Sequence, residues 1–262
     1  MVWRVFKTLL KVEFIETIRY GFNLVMSYII TFLFFSGIYL GVRSLAPSAF
    51  SGGGKASFFV GYIYWIMYLF TANSVAWTLF AEAMRGYIER LFINPLNPRV
   101  YIFLKIIASF LASFFHIFIV GFTLSLIFGI KIDIPFLPFV IVILPVFVFF
   151  IGIAFIFAGF ALVYKRINAF INLVQILLML LSFLVSKRMP EVVLYIFKFF
   201  PYTQGLYILK NLILWGKDIN WLFTSGEYLY LLVGSILFFI LGLLVFDLLY
   251  KKSLREGLLG QY

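Results

Sequence analysis

Long apolar runs dominate the chain, and short polar stretches separate them. A helix needs roughly 20 predominantly apolar residues to cross a bilayer. Six runs approach or exceed that length: 22–42, 58–80, 100–128, 136–163, 169–186 and 228–249. None shows the two-residue polar alternation of a barrel strand. The pattern therefore predicts an all-α polytopic membrane protein, with six transmembrane helices in a single domain over residues 1–262.

The first twenty residues show a helical period with two different faces. Arg4, Lys7, Thr8 and Lys11 recur at i, i+3, i+4 and i+7, and the opposite face carries four apolar residues, Trp3, Phe6, Leu10 and Phe14. This pattern predicts an amphipathic helix over 1–20 that lies in the headgroup plane. The alternative is a cytosolic extension of the first span.

Two short apolar segments separate the fifth and sixth runs. They cover 192–199 and 202–215, on either side of Phe200-Pro201. Each is too short to cross a bilayer. We expect two interfacial or re-entrant outer helices within 192–215.

Composition excludes several classes of function. The chain is 65% hydrophobic and 12% charged, with no Cys and a single His. Disulfides, thiolate metal sites and two-His zinc motifs are thereby excluded. No Gly-x4-Gly-Lys-Ser/Thr phosphate loop occurs, so we expect this chain to bind no cofactor itself. Charged residues between Arg4 and Arg19 interrupt any apolar core of a signal peptide, which makes the first span an uncleaved anchor.

The distribution of Lys and Arg predicts the orientation of the spans. With the N-terminus inside, 13 of these cations flank the cytoplasmic ends and 8 flank the outer ends. Because cytoplasmic flanks carry the excess, we expect both termini in the cytoplasm and the protein in the cell membrane. The net charge of +11 is dispersed over the span ends, so it favours contact with membrane lipid and not with nucleic acid.

A compact charged island follows the second run. A short helix from Glu82 to Ile93 would place Glu82, Gly86 and Arg90 along one side, with Glu89 beside them. Pro95 would end it, because proline disfavours helical geometry in the residue before it. We interpret 82–95 as a docking segment in water. The alternative is a solvated loop whose charges only set topology.

Two further patterns predict local contacts. Small residues at Gly37 and Gly41, and at Gly121, Ser125 and Gly129, would permit close approach of helices, within the chain or between copies. Asp247 precedes Lys251 by four residues, which predicts an ion pair at the membrane interface.

The order of these elements resembles that of the permease subunits of type-2 ABC exporters. Three local matches support the resemblance: Gly61-Tyr-Ile-Tyr-Trp65, Glu82 followed by Gly86-Tyr-Ile-Glu89-Arg-Leu and Pro95, and Pro201-Tyr-Thr-Gln-Gly-Leu-Tyr-Ile-Leu-Lys210. Tyr87 stands where the family usually has Thr. The layout covers nearly the whole chain.

The resemblance implies a transport subunit that is not itself an enzyme. A separate ABC ATPase subunit would bind ATP and Mg and would couple to the charged segment through Glu82, Arg85, Gly86, Glu89, Arg90 and Pro95. It also implies a homodimer of permease subunits and export of a substrate across the cytoplasmic membrane.

Polar side chains within the spans are candidates for a substrate pathway. Asn168, Asn172 and Gln175 recur at i, i+4 and i+7 in the fifth run, and Asn73 and Trp77 lie at i and i+4 in the second. Polar groups in hydrocarbon need partners or a wet cavity, so these residues either line a route or join helices by hydrogen bonds.

Two other classes of function compete with an ABC permease. An ATP-independent channel or carrier would need no ATPase partner. An intramembrane enzyme would need a buried acid, base or nucleophile, and the spans contain almost none.

Overall fold

The structure is a computed structural model, and it describes residues 1–50, 53–73, 76–77, 96–164, 167–187 and 190–256. These residues form helices and contain no strand. The helices are α1 (Val2–Arg19), α2 (Gly21–Leu45), α3 (Gly54–Tyr68), α4 (Pro98–Ile127), α5 (Phe136–Val163), α6 (Asn168–Leu184), α7 (Glu191–Lys198), α8 (Pro201–Ile213), α9 (Ile219–Thr224) and α10 (Glu227–Arg255), with a 3-10 turn at Pro47–Phe50 and a π-helical turn at Leu69–Asn73.

Local sequence signals explain where several helices begin. The side chain of Asn97 accepts a hydrogen bond from the backbone N–H of Arg99, and Pro98 takes the first helical position of α4. Gly226 precedes α10 with a φ of 73°, a left-handed conformation that favours glycine. These residues fix the N-terminal ends of α4 and α10.

The membrane prediction is confirmed at the level of an all-helical, multi-pass protein. Among the described residues, four helices are long and apolar enough to cross a bilayer: α2, α4, α5 and α10. The fifth predicted span is the 17-residue apolar helix α6. The second predicted span begins with α3 and continues into the π-helical turn, and only part of its remainder is described. Six spans therefore remain a prediction.

The centre of the bundle is the pairing of α5 with α10. A Cβ atom at Gly152 would lie 2.6 Å from the backbone oxygen of Phe238, and a Cβ atom at Gly242 would lie 2.8 Å from Gly152 Cα. Only glycine at both positions allows the two backbones to approach this closely. The two helices pack along much of their length, and most of α5 is buried.

The small residues singled out in the sequence do not form the close helix contacts of this chain. Nothing lies within 4 Å of a Cβ atom placed at Gly37 or Gly41, and Gly121 would make only an ordinary contact with Ile63. Gly129 lies in a turn after α4, with a φ of 59°. Within the chain, the expectation of close approach at these positions was wrong, because the α5–α10 seam takes that role.

Polar contacts identify the two ends of the bundle. At one end, Arg99 at the start of α4 pairs with Asp247 near the end of α10, with 2.6 Å between Nη2 and Oδ2. The predicted i,i+4 pair of Asp247 with Lys251 is wrong: Oδ2 pairs with Arg99 of the neighbouring helix, and the buried Oδ1 has no hydrogen-bond partner among the described residues. At the other end, Lys55 at the start of α3 donates a hydrogen bond to the carbonyl of Phe128 after α4.

The outer segment folds as two short helices, as the sequence predicted, and adds a third. Helices α7 and α8 are separated by Phe199 and Phe200, with Pro201 in the first turn of α8. The six-residue helix α9 follows. The segment reaches α10 at Glu227, so it lies beside the end of α6 and the start of α10.

Candidate transport pathway and outer closure

The predicted coupling residues lie outside the described residues. These are Glu82, Arg85, Gly86, Glu89, Arg90 and Pro95. The side chain of Asn73 is also outside the described part of the chain. Trp77 is half-buried and packs against the hydrophobic core.

Helix α6 presents its three amides along one margin. Asn172 is exposed, while Asn168 and Gln175 are half-buried. The buried Oδ1 atom of Asn168 has no hydrogen-bond partner among the described residues. The backbone oxygen of Gln175 accepts a hydrogen bond of 3.1 Å from Nε1 of Trp65, which ties α6 to α3.

The face of α6 beside these amides is apolar and exposed. Its exposed residues are Leu173, Ile176, Leu177, Leu180 and Leu184. The buried face instead carries Ile171, Leu178 and Ser182. The amide margin thus lies between the bundle and an uncovered apolar surface, which is a position where a polar side chain can meet a cargo or a second copy of the chain.

Helix α8 is short but almost completely enclosed. Most of its side chains are buried, from Pro201 to Leu212, although it is far too short to span a bilayer. It packs against α3, α5, α6 and α10. Helix α8 therefore closes the end of the bundle at which α6 ends, and the polar groups on it need partners inside the protein.

Lys210 on α8 is a buried cation with no acidic partner in the described part of the chain. Its side chain is 1% exposed, and Nζ donates to the carbonyls of Val185 at 2.7 Å and Ser182 at 3.3 Å. These carbonyls end α6, where unpaired oxygens carry the negative end of the helix dipole. Burial nevertheless lowers the pKa of Lys210 to about 7.

The same junction brings α3 close to α6. A Cβ atom at Gly61 would lie 2.5 Å from the backbone oxygen of Ser182 and 3.5 Å from Nζ of Lys210. The hydroxyl of Ser182 lies 2.5 Å from the hydroxyl of Tyr202, and Tyr64 donates to the backbone oxygen of Tyr202 at 3.0 Å. Three helices are therefore joined at one point.

A second polar cluster joins α7, α8 and α10. Oε2 of Glu227 accepts a hydrogen bond of 2.7 Å from Nε2 of Gln204, and Oε1 lies 2.8 Å from Nζ of Lys198. The hydrogen bond to Glu227 raises the pKa of Lys198. Glu227 is 7% exposed, so this carboxylate depends on both partners for its solvation.

Sequence reasoning missed these two clusters as sites. The sequence analysis counted Lys198 and Lys210 among the eight outer flanking cations, and it included Gln204 and Lys210 in the motif Pro201–Lys210 without assigning them a contact. The available signal was the segment Pro201–Lys210, which carries three polar side chains in an otherwise apolar helix, Thr203, Gln204 and Lys210. Such residues within a short apolar helix indicate internal partners.

The fold defines a multi-pass, all-helical membrane protein in which the short helix α8 is enclosed by the longer helices. The sequence model of the ABC-2 family transporter proteins matches residues 51–244, which is most of the chain. The chain belongs to this family, and it is a membrane subunit of an ABC transporter. Membership implies partnership with an ABC ATPase subunit. No curated protein and no solved structure matches the chain.

Proposed function

We propose that the chain is the membrane pathway of an ABC exporter and that it couples to a separate ATPase. The family match over 51–244 carries this proposal, because it includes the charged island and the outer segment that the sequence singled out. The chain has no phosphate loop, so ATP and Mg would bind to the partner. The outer closure formed by α8 supports a route that opens outward only when the bundle rearranges.

The test of this proposal is purification from native membranes in mild detergent. We expect an ATPase subunit that carries a phosphate loop to accompany the chain, and we expect transport to stop without hydrolysable ATP. Cargo transport that proceeds without ATP or such a subunit would instead identify the ATP-independent channel or carrier.

We further propose that both termini face the cytoplasm of the cell. Three of the outer cations are occupied within the protein: Lys55 at the end of α4, Lys210 at the end of α6, and Lys198 beside Glu227. These three are less available to anchor a flank in the cytoplasm than free surface cations are. On the opposite side, Arg99 pairs with Asp247 and Lys105 is 5% exposed, so internal contacts occupy cations at both ends and the excess given by the sequence is kept.

The charged island is proposed to receive the motion of the ATPase. Changing Glu89 to Lys is expected to weaken capture of the ATPase by about tenfold or more, because the substitution reverses the charge of a contact across an interface. ATPase copurification and cargo transport are measured together for this variant.

Lys217 supplies the matched control for that experiment. It is exposed and belongs to the outer segment, so Lys217→Glu reverses a charge on the opposite side of the membrane. We expect the Lys217→Glu variant to keep wild-type ATPase copurification and wild-type cargo transport. Wild-type capture and transport in the Glu89 variant would contradict a coupling role for the island.

The amide margin of α6 is proposed to line the cargo route, at an interface between two copies of the permease. The exposed apolar face of α6, which includes Leu173 and Leu180, supports a surface that another chain or lipid covers. Asn172 lies beside that face and is exposed, so its amide is free to contact a cargo there.

Replacing Asn172 and Gln175 together with Leu is expected to shift the cargo response. The cargo concentration for half-maximal ATPase stimulation should rise about fivefold, the equivalent of one hydrogen bond of about 1 kcal/mol. Basal hydrolysis and assembly should change little. Titration of cargo against ATPase rate measures the shift.

Ile176→Leu is the control for the amide variant, since it alters an exposed neighbour on α6 without changing polarity. A lower melting temperature with an unchanged cargo response would show that the two amides join helices and do not contact cargo.

A further inference from the structure

Helix α1 turns one face toward the bundle and leaves the other uncovered. Half-buried residues recur along the face that packs on α4: Val5, Phe6, Leu9, Leu10, Glu13 and Phe14. The apolar residues Phe6, Leu10 and Phe14 belong to this half-buried face, which is turned toward α4. The helix is docked on the bundle, and its outward face is available to a different partner.

The outward face changes character along its length. Arg4, Lys7 and Lys11 are exposed at i, i+3 and i+7, and the same helical spacing continues through Ile15 and Ile18, which are also exposed. Ile18 is 77% exposed. One stripe on α1 is therefore cationic in its first half and apolar in its second half.

The cations of this stripe are not neutralised in the described part of the chain. Neither Arg4, Lys7 nor Lys11 forms an ion pair with any described carboxylate. Nζ of Lys7 lies 5.2 Å from the ring centroid of Trp3, and Trp3 is 62% exposed. An exposed Trp beside a cation is typical of a helix at the level of lipid headgroups.

We propose that this stripe binds an anionic phospholipid, with the phosphate against Arg4, Lys7 and Lys11 and the acyl chains along Ile15 and Ile18. A soluble acidic partner would complement the cations but would leave the apolar half of the stripe in water. The inference requires only that the chain is a membrane protein, so it does not depend on the cargo, the direction of transport or the coupling segment.

The size of the expected preference follows from the charges. A cation near an anionic membrane surface contributes about fivefold to binding. Lys7→Gln or Lys11→Gln alone should therefore weaken binding of the anionic lipid by about fivefold. The triple variant Arg4→Gln/Lys7→Gln/Lys11→Gln should weaken it by more than about tenfold.

Native mass spectrometry of the full chain in mild detergent tests the proposal. The chain is titrated with dioleoyl phosphatidylglycerol and, separately, with dioleoyl phosphatidylcholine. We expect tighter binding of phosphatidylglycerol by the wild type, loss of that preference in the triple variant, and an unchanged melting temperature, because all three cations are exposed. If the triple variant does not fold, the roughly fivefold weaker phosphatidylglycerol binding expected of Lys7→Gln or Lys11→Gln alone tests the same proposal.

Additional variants and a phosphate competition distinguish lipid binding at this stripe from binding at other cations and from binding of free phosphate. The control Lys131→Gln/Lys187→Gln/Lys217→Gln removes three exposed cations elsewhere and should keep the preference. The variant Ile15→Ser/Ile18→Ser should weaken binding of phosphatidylglycerol. Millimolar inorganic phosphate should not displace the bound lipid.

Three results would overturn the assignment. The first is an unchanged preference in the triple variant, and the second is displacement of the lipid by inorganic phosphate alone. The third is a triple variant that loses the ATPase subunit but retains phosphatidylglycerol, because that result would identify the stripe as a protein contact.

Discussion

Replacing Lys210 with Met is expected to lower the free energy of unfolding by about 2 to 4 kcal/mol near pH 10, where burial of the amine no longer costs a proton and the carbonyls of Ser182 and Val185 lose their donor inside the protein. Methionine has nearly the same length as the lysine stem, so the packing around α8 should be kept. The loss should appear as a lower melting temperature of the purified protein and as weaker closure of the outer end.

The effect of this substitution is expected to depend on pH. The pKa of Lys210 is lowered to about 7 by burial, from an ordinary value of 10.5. Below pH 7, Lys210 is protonated in both the folded and the unfolded chain. The full desolvation cost of the buried cation then lowers the free energy of unfolding. Between pH 7 and 10.5, the unfolded chain binds more protons, so the stability of the wild type rises with pH by up to about 1.4 kcal/mol per pH unit.

Melting temperatures at pH 6, 8 and 9.5 measure this dependence. The wild type should gain stability over the series relative to Lys210→Met, which has no proton to lose at this position. Lys217→Met is the control, because Lys217 is exposed on the same side of the protein. Parallel pH profiles for the wild type and the Lys210 variant would contradict the role of the buried amine.

A single methyl group at Gly242 is expected to have a comparable effect at the centre of the bundle. The Cβ atom of Gly242→Ala would lie 2.8 Å from Gly152 Cα, and backbone atoms cannot move aside as a flexible side chain can. Overpacking of this kind costs about 3 kcal/mol. The melting temperature should fall by about 6 to 12 °C for a domain of this size.

Gly37→Ala is the matched control in α2. Nothing lies within 4 Å of its Cβ position, and the chemical change is identical. This variant should melt within a few degrees of the wild type, while Gly152→Ala should resemble Gly242→Ala. Equal melting temperatures for Gly37→Ala and Gly242→Ala would show that α5 and α10 are not in close contact.

The spans could be predicted where hydrophobicity alone decides the structure. The predicted run 136–163 coincides with α5, because an uninterrupted apolar sequence between Pro135 and Tyr164 has no alternative to a buried helix. The π-helical turn at Leu69–Asn73 could not be predicted from the apolar run 58–80, because hydropathy does not distinguish a π turn from an α turn. The six-residue helix α9 is below the length at which periodicity gives a signal.

The candidate site was less accessible from the sequence. Composition and spacing pointed to Asn168, Asn172 and Gln175, and these do share one margin of α6. The partners of Lys210 and Glu227 depend instead on how α8 packs between other helices. A lysine beside a span has the same sequence signature whether it caps a buried helix or lies in water. Only the tertiary contact with Ser182 and Val185 distinguishes the two.

The pairing of α5 with α10 has a consequence for biogenesis. Helix α5 is synthesised well before α10, and its glycine seam at Gly152 packs against the backbone of Phe238, Phe239 and Gly242. During insertion, the surface of α5 around Gly152 therefore has no packing partner until α10 has been synthesised and inserted. We expect the bundle to close in a late step, and a nascent chain that stops before Glu227 to present the bare seam of α5 as a recognition feature for membrane quality control.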